Sequence, residues 1–241
     1  MELVSFREII KSEGRRLSCA ICEERKEKRF CPAVHGRICP QCCGEQREVT
    51  IDCPSDCPYL QQARAHATEH YAKAQNEGLG ELDREVLFPE IAIAEQFLYE
   101  REELIMGLSF ALAKSARADR SLTDRDLIAA AGSLAKSYQT LVNSGLIYEP
   151  QIPNLAHQSI AREVETMVRE FREAEQKHIG HTRLRDSDVL KALVFLLRMG
   201  LARTSGRPRS RAFVDFLFAQ FPEKGSAIAG QEEAGSRIVI P

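Results

Sequence analysis

Eight cysteines, all between Cys19 and Cys57, set the terms on which this chain folds. They fall as Cys19-x2-Cys22, Cys31, Cys39-x2-Cys42-Cys43 and Cys53-x3-Cys57, and none follows in the rest of the 241 residues. Between Leu17 and Leu60 the other apolar residues are few, chiefly Ile21, Phe30, Val34, Ile38, Val49, Ile51 and Tyr59. A segment this small buries too little surface to fold unaided. Structural zinc can supply an apparent binding free energy of about 10–16 kcal/mol, enough to fix it. The start, Met1-Glu2-Leu3-Val4, lacks the basic residues and apolar core of a secretory leader. In such a chain, clustered cysteines favour a metal site over disulfides.

The spacing divides the eight thiols. A C-x2-C pair lets a tight turn aim two sulfurs at one ion, about 2.3 Å from each in tetrahedral zinc sites. Cys42 and Cys43 are neighbours whose side chains point apart, so they should serve different ions. The expectation is one zinc on Cys19, Cys22, Cys39 and Cys42 and a second on Cys31, Cys43, Cys53 and Cys57, with His35 as reserve ligand. Sulfur ligands also suit iron–sulfur clusters; two Zn²⁺ per chain is the reading taken. Short strands are expected at Lys28–Cys31 and Val49–Ile51. A helix from Pro58 places its N-terminal dipole near Cys53 and Cys57, where it favours thiolate charge. Arg15, Arg16, Arg25, Lys26, Lys28, Arg29, Arg37 and Arg47 offset the two anionic centres.

The strings Cys39-Pro-Gln-Cys-Cys-Gly44 and Ile51-Asp-Cys-Pro-Ser-Asp-Cys-Pro-Tyr-Leu60 carry a resemblance. The segment resembles the cross-brace and treble-clef zinc fingers, the group that includes B-box and RING domains, and a set of bacterial cysteine-rich proteins without an assigned activity. The resemblance covers about a quarter of the chain. It implies a binding module; ligase activity is not carried over.

Beyond Tyr59 the pattern is helical to about Phe221. A first helix, Pro58 to Asn76, ends in Gly78-Leu79-Gly80, a candidate hinge. Pro89 should open a second, which carries Ile91, Phe97, Leu98, Leu104, Ile105, Leu108 and Leu112. Thr123-Asp-Arg-Asp126 has the form of a capping box before a helix that stops near Gly145. After Pro153, Ile160, Val164, Met167, Val168 and Phe171 share one helical side. Residues Ser187–Leu201 are apolar nearly all round and should be the buried centre of a bundle. Ser210 should cap a last helix holding Phe213, Phe216, Leu217 and Phe221. The expected fold class is mainly α: a dizinc cysteine-rich module at residues 1–78, an all-α bundle at 79–222 and a flexible tail at 223–241.

Other constellations carry less. His66-Ala-Thr-Glu69-His70 has the H-x-x-E-H form of inverted zinc peptidases, with Glu149 as a conceivable third ligand, but that family's strands have no counterpart here. His178 and His181 lie near a helix end without a third ligand. Between His181 and Ala212, eight basic residues face two acids. Arg203, Arg207, Arg209 and Arg211 form a loop that could contact phosphates. The rival account pairs them internally, with the nine acids of residues 77–103 as counterpart. Eight thiolates and two Zn²⁺ would move the formal charge from −2 to −6, so nothing global draws this chain to nucleic acid. No apolar stretch is long enough to span a membrane. The expectation is therefore a cytoplasmic, non-enzymatic zinc-binding interaction or regulatory protein. Its partner would be a protein, or a nucleic acid through the 203–211 loop. The alternatives are a zinc hydrolase built on His66, Glu69 and His70, or a thiol-based redox sensor.

Overall fold

The computed structural model describes residues 18–76, 88–146 and 154–222, excepting the side chains of 68–76. The candidate hinge at Gly78–Gly80, the boundary at residue 78, Glu149, the first sixteen residues and the tail from 223 lie outside the described residues. The chain divides into two units, Met1–His66 with Arg207–Arg209, and Ala67–Gly206 with Ser210–Pro241. The architecture is mainly α, with one two-stranded sheet and eight helices among the described residues.

In the first unit, β1 (Arg29–Cys31) pairs antiparallel with β2 (Gly36–Ile38) in the register Arg29↔Ile38, Phe30↔Arg37, Cys31↔Gly36. The strands are three residues long because Pro32 and the left-handed His35 (φ 52°) turn the chain at once. Helix α1 (Pro40–Gln46) begins on Cys39, with Pro40 supplying the fixed φ of a first turn. Its end is followed by Glu48 at φ 53° and by a single bridge between Arg47 and Ile51. The strand expected at Val49–Ile51 is therefore not formed. The alternation there belongs to a turn in which the N–H groups of Val49, Thr50 and Ile51 all donate to the Gln46 carbonyl. Helix α2 spans Pro58–Asn76, as the proline and the helical pattern implied.

The second unit holds α3 (Glu95–Glu100), α4 (Glu102–Ala118), α5 (Asp124–Ser144), α6 (Leu155–Ile179), α7 (Asp186–Arg203) and α8 (Ala212–Gln220). Pro89 opens no helix. Residues 89–94 run as turn and extended chain, held where the Arg198 guanidinium donates to the carbonyls of Phe88 (2.7 Å) and Ile91 (2.9 Å). The single helix expected from Pro89 is thus two later ones, broken at Arg101 (φ −120°, ψ 23°). Helix α5 stops where expected, with Gly145 left-handed at φ 69°.

α7 lies at the centre, as its all-round apolar pattern required. Val189, Leu193, Val194, Leu196 and Leu197 are 0–1% exposed, and α7 packs most extensively on α5. At Gly200 the neighbours come so close that a Cβ would lie 2.9 Å from Ile128 and 3.1 Å from Phe213. The cap of α8 differs from expectation. Ser210 does not cap it; the fully buried Asp124 carboxylate does, accepting from the N–H groups of Phe213 (3.0 Å) and Val214 (3.1 Å). Ser210 instead donates its hydroxyl to Asp124 at 2.7 Å. A residue 86 positions away was the better-placed acceptor. No described helix is long and apolar enough to cross a membrane.

Candidate metal centre

Two tight turns build the first cysteine group. In one, Glu23 N–H closes on the Cys19 carbonyl at 2.8 Å, with Glu23 left-handed at φ 57°, which brings Cys22 back toward Cys19. In the other, Cys39 is the N-cap of α1, and its sulfur accepts from Cys42 N–H at 3.3 Å. The two turns meet where Cys39 N–H donates to Cys19 Sγ at 3.1 Å. The result is that Sγ of Cys19, Cys22, Cys39 and Cys42 all lie within 4.8 Å of one another. Cys19, Cys39 and Cys42 are 0–2% exposed and Cys22 is half-buried. All eight cysteines are free thiols.

Electrostatics inside this group is uneven. The Arg25 backbone N–H and guanidinium hold the Cys22 thiol down to about 6. Burial pushes Cys42 up to about 12, and the sulfurs of Cys39, Cys22 and Cys19 add to it. For Cys19, burial opposes ionisation but the N–H groups of Cys22, Cys39 and Ile21 outweigh it, so its thiol is lowered. The group is one coupled set of acids, and its protons do not leave together.

The remaining four cysteines share a different place. Cys31 from the end of β1, Cys43 from α1, Cys53 from the following turn and Cys57 before α2 all line one narrow cavity with Ile38, Ile51 and Leu60. Burial pushes the Cys53 thiol up, although Glu48 N–H works against it. Among the described residues only the first group meets within 4.8 Å. His35 is exposed at the β1–β2 turn and is not part of that group.

Two features had little or no signature in sequence. Glu48 is an acid only 3% exposed, paired with Arg64 of α2 at 2.8 Å, and its carbonyl accepts from Arg209 N–H at 2.9 Å. Arg25 and Arg47 each reach a cysteine sulfur, Arg25 Nη2 to Cys42 at 3.8 Å and Arg47 Nη2 to Cys43 at 3.7 Å. Composition counted these arginines among eight local cations without telling that these two touch sulfur.

The arginines of the 203–211 loop are mostly engaged. Arg203 lies 3.5 Å over the Phe216 ring. Arg207 donates to the carbonyls of Gly44 (2.9 Å) and Arg47 (2.6 Å), within the first unit. Arg211 donates to the carbonyls of Arg120 and Leu122. Arg209 lines a shallow depression beside Ile21, Val34 and Asp52. Among the described residues, the partners of Arg203, Arg207 and Arg211 are backbone carbonyls and a ring; the acids of residues 77–87 lie outside the described residues. His66 is exposed on α2; the side chains of Glu69 and His70 lie outside the described residues.

Whether a metal suits these residues can be judged from the donors. Four convergent thiols, backbone N–H groups aimed at sulfur and buried guanidinium Nε atoms of Arg25 and Arg47 with no acceptor all fit negative charge on sulfur, which a divalent ion would fix. Compared with models of protein families, with curated proteins and with solved structures, the chain matches none.

Proposed function

We propose that this chain is a non-enzymatic, zinc-dependent interaction protein whose cysteine module is held in shape by two ions. The observation that carries the reading is the convergence of Cys19, Cys22, Cys39 and Cys42 within 4.8 Å. A closed tetrathiolate set leaves no coordination position for substrate, so its contribution is shape. Cys31, Cys43, Cys53 and Cys57 would hold the second ion, supported by their placement around one cavity. Such thiols stay reduced in a cytoplasm-like compartment, where the protein would act.

The ordered surface of the module would receive the partner. With Arg203, Arg207 and Arg211 engaged internally, the loop offers a nucleic acid little beyond Arg209. A protein is therefore the partner the geometry favours. The test is metal analysis of the full chain purified without added chelator. Two zinc per chain are expected. No zinc in folded protein would sink the reading, and one would retain the first group and remove the second.

A further inference from the structure

Among the described residues, each cysteine group has one arginine hydrogen-bonded to a sulfur. We propose that Arg25 and Arg47 are the dedicated counter-charges of the two groups and set how readily each gives up its metal. This rests on the dizinc reading above.

Four thiolates around a divalent ion sum to two negative charges, and such a centre is costly to bury without a compensating cation. A guanidinium suits the place because it is permanently charged, weakly hydrated and planar, with several N–H donors in one fork. Arg25 Nη2 reaches the Cys42 sulfur, the second member of one C-x2-C turn, at 3.8 Å. Arg47 sits four residues after Cys43, reaches its sulfur at 3.7 Å and lines the cavity of the second group.

Neither arginine forms an ion pair with a carboxylate among the described residues, although acids are close in sequence. Glu27 pairs with Arg37 and Glu48 with Arg64. The Nε atoms of Arg25 and Arg47 are nevertheless buried without a partner. A buried cation with an unsatisfied N–H is tolerated when it faces compensating negative charge, and the groups these two guanidiniums reach among the described residues are sulfurs. Both are positioning residues: they act through the thiolates and touch no ion.

The experiment follows zinc leaving the loaded full-length chain into excess chromogenic chelator, at fixed pH and salt. Two release phases are expected, and C42S and C43S assign them by each removing one. R25Q should speed the first group's phase about tenfold, and R47Q the second's, the lower end of what outer-shell partners contribute to metal affinity. R25K and R47K, which keep the charge, should stay closer to wild type than the glutamine variants. The proposal is overturned if a two-zinc wild type and both glutamine variants release alike. It also falls if each variant speeds both phases equally, or if the lysine variants are as fast as the glutamine ones. A glutamine variant that cannot load zinc supports it if the lysine variant loads, and counts against it if neither does. A wild type that binds no zinc instead defeats the dizinc reading beneath it.

Discussion

Cys42 and Cys43, adjacent in α1, send their sulfurs to different cysteine groups. Cys42 joins Cys19, Cys22 and Cys39 within 4.8 Å, while Cys43 faces the cavity lined by Cys31, Cys53 and Cys57. Successive helical residues point about 100° apart, so one short helix serves both groups. A specific outcome follows for each cysteine. Cys42→Ser and Cys43→Ser should each lose one zinc of two, read by native mass spectrometry. Loss of both ions in either variant would mean the groups are not separable.

Filling the first group should release protons, because metal ligands must be thiolates. At pH 7.5 Cys42, raised to about 12, is protonated, while Cys22, lowered to about 6, is already ionised. Binding then displaces the Cys42 proton at least. As pH falls through about 6, Cys22 takes up a proton too, so the number released per ion rises and the affinity drops. Calorimetry of zinc binding in buffers of different ionisation enthalpy gives this number. A count that stays flat between pH 5 and 8 would contradict the uneven charge described for the group.

In the helical unit, Asp124 receives the Ser210 hydroxyl and two backbone N–H groups while fully buried. Asp124→Ala would leave those donors unpaired at the start of α8. Hydrogen bonds to a charged group are worth about 1.5–3 kcal/mol each, so a loss of about 3 kcal/mol or more is expected in urea unfolding. Zinc content should not change. A loss under about 1 kcal/mol would show that water replaces the carboxylate freely.

The places where sequence and structure part are instructive. The helical half was legible because its signals are local: apolar period, Pro58, Gly145 and the Thr123–Asp126 pair all act within a few residues. The grouping of the Cys19-x2-Cys22 and Cys39-x2-Cys42 pairs was legible from their local spacing. What failed was non-local. Asp124 displaced Ser210 as the cap of α8 from 86 positions away, and Pro89 opened no helix because Arg198 ties the following segment to α7. The alternation Val49–Ile51 fits a strand, but with no partner strand among the described residues its N–H groups turn back to the Gln46 carbonyl. Which of eight cations reach sulfur depends on the same long-range placement.

Gly200 tests the tightness of the helical core. A methyl group there would meet Ile128 at 2.9 Å and the Phe213 ring at 3.1 Å. Phe213 is buried in the core and Ile128, partly buried, packs against it, so neither yields without moving others. Overpacking of this kind costs about 1–3 kcal/mol despite the better helix propensity of alanine. Gly200→Ala should lower the unfolding free energy by that amount, and a more stable variant would show that Phe213 swings aside.

Acid should loosen the junction where α5 begins. Asp126 accepts from the Thr123 N–H (2.9 Å) and hydroxyl (2.7 Å) and sits 3.0 Å from His157 of α6. Burial works to raise its carboxyl, but the Thr123 bonds and His157 outweigh this and hold it below the usual range. A carboxyl lowered on folding stabilises the fold fully above its unfolded value of about 3.9, and that contribution disappears as pH falls through the folded value. Asp126→Asn removes the contribution at every pH. The variant should therefore be less stable than wild type at pH 6, and the gap in urea midpoint should narrow as pH falls below the usual carboxylate range. A gap that persists unchanged into acid would mean the side chain acts by shape, with its charge irrelevant to the junction.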